Sequence, residues 1–382
     1  MKKINLVIFG ATGSIGKSAL SIVRSNREKF NIQGITCNKN YKKIIKIGKE
    51  FSVKRIGINK FIKKDIKELN SFNVYQGIET FDDIIDRKTD IIIFAISGLS
   101  GLDLILKIIK HGKKIGIANK ECIISLGNNL FEIAKKSSTE IIPLDSEHNS
   151  IFHLLRNNKN MYNSITITAS GGPFRELPIE QFKSITLKQA LSHPVWRMGK
   201  KISIDSATMV NKSLELIEAQ YLFNLKDNQI NAVIHPQSII HAMINYKNGV
   251  TTALMNKPDM KIPISSLFFN FEKYSNTDKS FNVLDYSKLE FFSIDPTKFP
   301  AINLGREVMK MGGLAPNAFN YLNEILVQRF ISGLIKFTDI VYLNEVNLEK
   351  LFAQNRNIVK PKLSDIKNIN NWIDHNIYLG NT

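Results

Sequence analysis

Asn5-Leu6-Val7-Ile8-Phe9-Gly10-Ala11-Thr12-Gly13-Ser14-Ile15-Gly16 is the stretch from which the fold is read. The apolar run Leu6–Phe9, without polar alternation, predicts a strand buried on both faces, as in a parallel sheet. Three glycines in the spacing G-x-x-G-x-x-G then predict a tight turn into a helix. In that setting, backbone N–H groups and the helix N-terminus form an anion site that a pyrophosphate can approach closely. The spacing differs from G-x-G-x-x-G, and for the glycines alone a structural turn is the alternative.

Outward from this motif, the first 145 residues alternate short β-rich runs with helical patterns, the signature of βαβ units. Strands are predicted at Asn5–Phe9, Ile32–Cys37, Arg55–Ile58, Ile91–Ala95, Lys114–Ala118 and Glu140–Leu144, with helices at Lys17–Arg24 and Leu102–Lys110. The expected fold is α/β: an N-terminal Rossmann-like parallel sheet domain over residues 1–145, and a central α+β catalytic domain over 146–270. A linker over 271–299 and a C-terminal α-helical domain over 300–382 follow. Strands Ser164–Ala169 and Ile230–Ile234 and helices Ile302–Met311 and Ala318–Ile331 carry the later assignments.

Composition narrows the function. At 382 residues and 43% hydrophobic, the chain can bury several cores. Its longest uncharged apolar run starts at Ile91 and ends before Asp103, short of the roughly 20 residues of a membrane span. No membrane association is expected. Met1-Lys2-Lys3 before an apolar stretch looks like the start of a secretory signal, but a glycine turn follows at once, so a first strand is expected instead. Two cysteines, Cys37 and Cys122, make no disulfide framework and fit a reducing cytoplasm. The net charge of +18 is spread over pairs such as Lys42-Lys43 and Lys113-Lys114 without interleaved aromatics. It reads as solvated surface, with no nucleic-acid partner expected, and its field suits an anionic substrate.

Several motifs carry chemistry. An NAD site usually places Asp or Glu near the end of the second strand; here Cys37 is followed by Asn38-Lys39-Asn40, which suits the 2′-phosphate of NADPH, although Lys39 alone reads equally well as surface. Asp145-Ser146-Glu147-His148-Asn149 follows a strand, and in extended chain an i, i+2 spacing turns Asp145 and Glu147 to one side. Two close carboxylates favour a hard divalent cation; side chains capping the next helix are the alternative. In Ser206–Glu218, Asn211, Glu215 and Glu218 share a helical face. Asn211 and Lys212 near its start suit phosphate, and Glu215 can complete a three-carboxylate site; an ordinary solvated face is the rival reading. Ser170-Gly171-Gly172 offers a second phosphate contact. His193-Pro194-Val195-Trp196-Arg197-Met198-Gly199 reads as a loop that can exclude water, with Trp196 as a packing residue the alternative. His235 and His241 stand i, i+6, which does not put both on one helical face, so zinc is not expected. No G-x-S-x-G elbow or Walker A lysine occurs.

Taken in order, Gly10–Gly16, Ala118–Glu121, Asp145–Asn149, Ser170–Glu176, His193–Gly199, Ile202–Glu218, His235–His241 and Pro258–Met260 resemble the 1-deoxy-D-xylulose 5-phosphate reductoisomerase family over essentially the whole chain. The resemblance implies an NADPH-dependent enzyme of the non-mevalonate isoprenoid pathway that yields 2-C-methyl-D-erythritol 4-phosphate. It implies Mg²⁺ or Mn²⁺ on Asp145, Glu147 and Glu215, and catalytic roles for Lys120, Glu147, His193 and Glu215. Substrate is implied to meet Lys120, Ser146, Glu147, Ser170, His193, Trp196, Ser206, Asn211, Lys212, Glu215, His241 and Met260. NADPH is implied to meet Thr12, Gly13, Ser14, Ile15, Asn38, Lys39, Asn40, Asn119, Glu121 and Gly199. The segment from His193 to Lys200 corresponds to a flexible flap, and a homodimer is a family expectation. Ala11 and Asn38 depart from the family's usual residues at their positions.

Overall fold

The computed structural model describes residues 2–60, 66–156, 162–196, 198–269, 281–353 and 357–380. In chain order the first elements are β1 Ile4–Phe9, α1 Ser14–Ser25, β2 Phe30–Cys37, α2 Tyr41–Glu50, β3 Arg55–Ile58, β4 Asn73–Gln76, β5 Ile91–Phe94 and α3 Leu102–Ile108. Next come β6 Lys114–Ile117, α4 Lys120–Leu126, α5 Asn128–Lys136, β7 Glu140–Pro143 and α6 Ser146–Leu155. After these stand β8 Tyr162–Ala169, α7 Leu187–Ala190, α8 Lys200–Ala207, α9 Val210–Phe223, β9 Ile230–Ile234, β10 Ile240–Tyr246 and β11 Thr251–Met255. Helices α10 Lys261–Phe268, α11 Ala301–Met311, α12 Ala315–Ile331, α13 Asp339–Ala353 and α14 Leu363–Asn376 complete the described chain.

Chain contacts divide the molecule into two units. The first takes its residues from 1–122, 130–149 and 259–277, and the second from 123–129, 150–258 and 278–382. The first unit is built on a seven-stranded sheet in the order β4-β3-β2-β1-β5-β6-β7, parallel at every pairing. Leu6, Val7, Ile8 and Phe9 of the central strand are fully buried, as a strand covered on both faces requires. The order reverses between β1 and β5, which opens a crevice at the carboxyl ends of these strands. α10 returns to this unit, where Phe268 and Phe269 meet Phe30 with ring centroids 4.9 and 5.8 Å away.

The second unit carries a four-stranded sheet in the order β11-β10-β8-β9. β8 and β9 are parallel, while β10 runs antiparallel to both β8 and β11. A core of Phe174, Phe182, Phe299, Phe330 and Phe337 packs with aliphatic residues of α8 and α12, rings meeting edge-on or tilted at 5.2–6.0 Å, the arrangement their quadrupoles prefer. Gly305 of α11 lies against Ser213 of α9, where an added Cβ would approach the serine Cβ to 2.6 Å.

The six strands predicted in the first 145 residues are all present, as are both predicted helices. The lysine-rich α2, helices α4 and α5, the polar edge strand β4 and strands β10 and β11 lie outside those expectations. Part of the predicted linker, 271–280, falls outside the described residues, and 281–299 holds one short turn of tight helix and a single bridge from Phe292 to Ile234.

Candidate active site

The glycine turn adopts the geometry its spacing predicts. Gly10 has φ +86°, and a Cβ there would stand 2.4 Å from the Ala95 carbonyl oxygen; one on Gly16 would stand 2.5 Å from the Gly10 oxygen. Neither position accepts a side chain. α1 starts after Gly13 with no side-chain cap and no acidic residue in its first turn, which leaves its N–H groups available to an anion. Beside it is a cavity of about 160 Å³ lined by Gly10, Thr12, Gly13, Thr36, Asn38 and Ser97 among others. Cys37 also lines it, with its thiol pushed up to about 12 by burial, so it is a spectator in the thiol form. The other cysteine, Cys122, is buried and free as well.

Of the residues predicted to meet the cofactor, Thr12, Gly13 and Asn38 line this cavity, with Ser14 and Ile15 opening α1. Asn40 caps α2, its side chain accepting from the Lys43 amide at 3.2 Å, and Lys39 is exposed. The Asn119 amide donates to the carbonyls of Ile96 and Gly98 at 2.5 and 2.9 Å and accepts from the Cys122 amide at 2.6 Å. Its work is to fix the loop after β5. Glu121 is buried in the first turn of α4, and Gly199 is the exposed residue before α8.

One prediction needs correcting. Asp145 and Glu147 do not share the side of an extended chain: α6 begins at Ser146, putting Glu147 in its first turn. The local capping chemistry of Asp-Ser-Glu wins over extension. Asp145 Oδ1 accepts from the Ser146 amide at 3.0 Å, and Ser146 Oγ donates to Glu147 Oε2 at 2.6 Å. The capping alternative is thus realised, and chemistry coexists with it: Lys120 Nζ pairs with Asp145 Oδ2 at 2.6 Å, both side chains largely shielded.

In the second unit, α9 presents Asn211, Lys212 and Glu215. Lys212 Nζ donates to the Thr168 carbonyl at 2.5 Å and to Glu215, to which Asn211 Nδ2 also donates. Lys212 and Glu215 are buried; such a pair is retained only with good geometry and further hydrogen bonds. Ser170 Oγ lies 2.9 Å from His193 Nε2 and accepts from the Gly172 amide at 3.2 Å. His193 Nδ1 accepts from the Val195 and Trp196 amides at 3.2 and 2.8 Å, so the ring is neutral with its proton on Nε2. Burial agrees, holding its pKa down to about 4. Gly172, at φ +65°, brings the Ser170 turn to α8: a Cβ there would stand 2.9 Å from the Ser206 carbonyl. Trp196 and His241 meet edge-on at 6.2 Å. Arg197 lies outside the described residues. Met260 immediately precedes α10.

Asp145 immediately precedes α6, whose first turn carries Glu147 and His148 in the first unit, and Glu215 and Glu218 stand one turn apart on α9 in the second, on the helical face they share with Asn211.

A glycine turn at the reversal point of a parallel sheet, with grouped carboxylates and phosphate-type donors elsewhere on the chain, defines a Rossmann-type dinucleotide-dependent oxidoreductase acting on an anionic substrate. Family models described as 1-deoxy-D-xylulose 5-phosphate reductoisomerase match residues 6–127, and those of its C-terminal domains match 141–223 and 255–375. The chain belongs to the 1-deoxy-D-xylulose 5-phosphate reductoisomerase family and is an enzyme of that class. The reductoisomerase of Pelagibacter ubique is 39% identical over 382 residues, with 98% of each protein covered, and that of Vesicomyosocius okutanii is 40% identical over 345 residues, covering 88% of this chain and 89% of the relative. Among solved structures, a Zymomonas mobilis reductoisomerase in complex with NADPH superposes with a TM-score of 0.89 at 33% identity, covering 97% of each chain. A reductoisomerase in complex with NADPH, fosmidomycin and magnesium gives 0.89 at 31%, again over 97% of each.

Proposed function

We propose that this chain rearranges and reduces 1-deoxy-D-xylulose 5-phosphate to 2-C-methyl-D-erythritol 4-phosphate, using NADPH and Mg²⁺ or Mn²⁺ held by Asp145, Glu147 and Glu215. Membership of the reductoisomerase family carries the reading, and the three carboxylates are hard oxygen donors of the kind that suit a divalent ion. When bound, the ion supplies Lewis-acid polarisation of substrate oxygens, and NADPH supplies the hydride.

The chain's own groups bind and orient. Ser170 Oγ, already accepting two hydrogen bonds, has its own proton left to donate to a phosphate oxygen. Ser206, Asn211 and Lys212 are the other phosphate donors, and neutral His193 donates from Nε2 to Ser170 Oγ, orienting that hydroxyl beside the substrate. Lys120 stands beside Asp145 as an electrostatic partner, next to Ser146. Trp196, with His241 and Met260, covers the sugar and excludes water. NADPH rests on Thr12, Gly13, Ser14 and Ile15, on Asn38, Lys39 and Asn40, and near Asn119, Glu121 and Gly199. Residues 1–145 are assigned to the nucleotide, 146–270 to catalysis and dimerisation, 271–299 to the linker and 300–382 to the helical part. A cytoplasmic homodimer that binds neither nucleic acid nor membrane completes the assignment; no helix among the described residues is long and apolar enough to cross a membrane.

The test is NADPH oxidation with 1-deoxy-D-xylulose 5-phosphate, with and without Mg²⁺ or Mn²⁺, in wild type and Glu215→Gln. Metal-dependent oxidation that the substitution abolishes is expected. A folded, NADPH-binding wild type that leaves this substrate untouched overturns the assignment.

A further inference from the structure

The turn after β2 carries more positive charge toward the glycine turn than Lys39 alone. Lys43 lies on the first turn of α2, and its Nζ reaches back 3.4 Å to the Thr12 carbonyl inside the glycine turn. Its backbone is fixed by the Asn40 cap. Lys17, on α1 just past the same turn, stands close enough that its ammonium perturbs that of Lys43: partial burial first, then Lys17, push Lys43 below the ordinary lysine range. Among the described residues neither lysine has a carboxylate partner. Two cations from consecutive helices therefore converge on one turn, an arrangement that costs free energy until an anion joins it.

Chemistry selects the anion. The pyrophosphate of a dinucleotide goes to the N–H groups of α1, whereas the adenosine ribose goes to the end of the second strand. Lys43 is on the helix that follows this strand and turns toward the glycine loop, between the two. We propose that Lys43, assisted by Lys17, binds the 2′-phosphate of NADPH and sets the preference for NADPH over NADH. This rests on the NADPH reading above and adds residues to it.

The experiment is a fluorescence titration of the purified full-length protein with NADPH and with NADH, for wild type, Lys43→Ala, Lys43→Arg and Lys17→Ala. Lys43→Ala is expected to raise the Kd for NADPH about tenfold, the scale of one strong charged contact, and to leave that for NADH within about twofold of wild type, which also shows that the turn is intact. Lys43→Arg keeps most of the preference, and Lys17→Ala loses a smaller part. An unchanged NADPH affinity in Lys43→Ala, or equal weakening of both nucleotides, overturns the proposal while the NADPH reading stands. A wild type that binds neither nucleotide overturns both.

Discussion

His193 shows how one residue's environment fixes its chemistry. Two backbone amides donate to Nδ1 and burial disfavours the charged ring, so the proton sits on Nε2 and points at Ser170. A histidine held near pKa 4 when folded, against about 6.5 unfolded, binds fewer protons in the folded state throughout that window. Stability therefore rises with pH between about 4 and 6.5 and is lost as pH falls through it. His153, also held down to about 4 by burial, adds to the same slope. Thermal melts from pH 7 down to pH 4.5 should show Tm falling, and falling less steeply in His153→Gln; an identical slope in that variant refutes the contribution. At this scale the candidate residues are legible as residue types in motifs. Asp145, Glu147, Glu215 and Lys212 stand in compact motifs whose residue types announce metal and phosphate. Lys43 was hidden because nothing in a run of lysines marks the one that folds back onto a glycine turn.

Elements were legible where burial wrote a clean period. β1 and β5 hold short apolar runs, and α11 repeats its apolar residues every three or four positions. β4, Asn73-Val74-Tyr75-Gln76, is an edge strand whose pattern is half polar, and α2 buries Ile44, Ile45, Ile47 and Gly48 amid lysines. The start of α6 stood only as the alternative reading, because two carboxylates two apart match a strand as well as a capped helix. The glycine turn itself yields a prediction opposite to helix propensity. Gly→Ala within a helix ordinarily stabilises by up to about 1 kcal/mol, but at Gly16 the new methyl would lie 2.5 Å from the backbone of Gly10 and Ala11. Gly16→Ala should lose about 1–3 kcal/mol in urea denaturation and weaken NADPH binding by more than about tenfold. A more stable variant would falsify the close-packed turn.

Over the whole molecule, the +18 charge belongs to no motif, yet it acts on an anionic substrate from a distance. kcat/KM should fall as salt rises from low to physiological ionic strength while kcat holds, since screening weakens encounter and not the bound state. Equal losses in both would refute steering. Packing at this scale rests on returns of the chain. Leu267 of α10 is 1% exposed and fills the space above Gly116, where an added Cβ would meet it at 2.6 Å. Leu267→Ala should cost about 2–5 kcal/mol by denaturant titration, and a loss under about 1 kcal/mol would show that α10 adds little to its unit. No local pattern foretells that return, because α10 is far in sequence from the strands it covers.

That return sets a schedule for a chain made from its N-terminus onward. Strands β1 to β7 have all been synthesised by residue 143, but the helix that covers part of their sheet begins only at Lys261. At about 5–20 residues per second, the nascent sheet waits roughly 6–24 s with the Gly116 surface uncovered. For that interval the growing polypeptide exposes apolar surface that chaperones can bind, and its first unit is completed only once residue 268 of 382 has been translated.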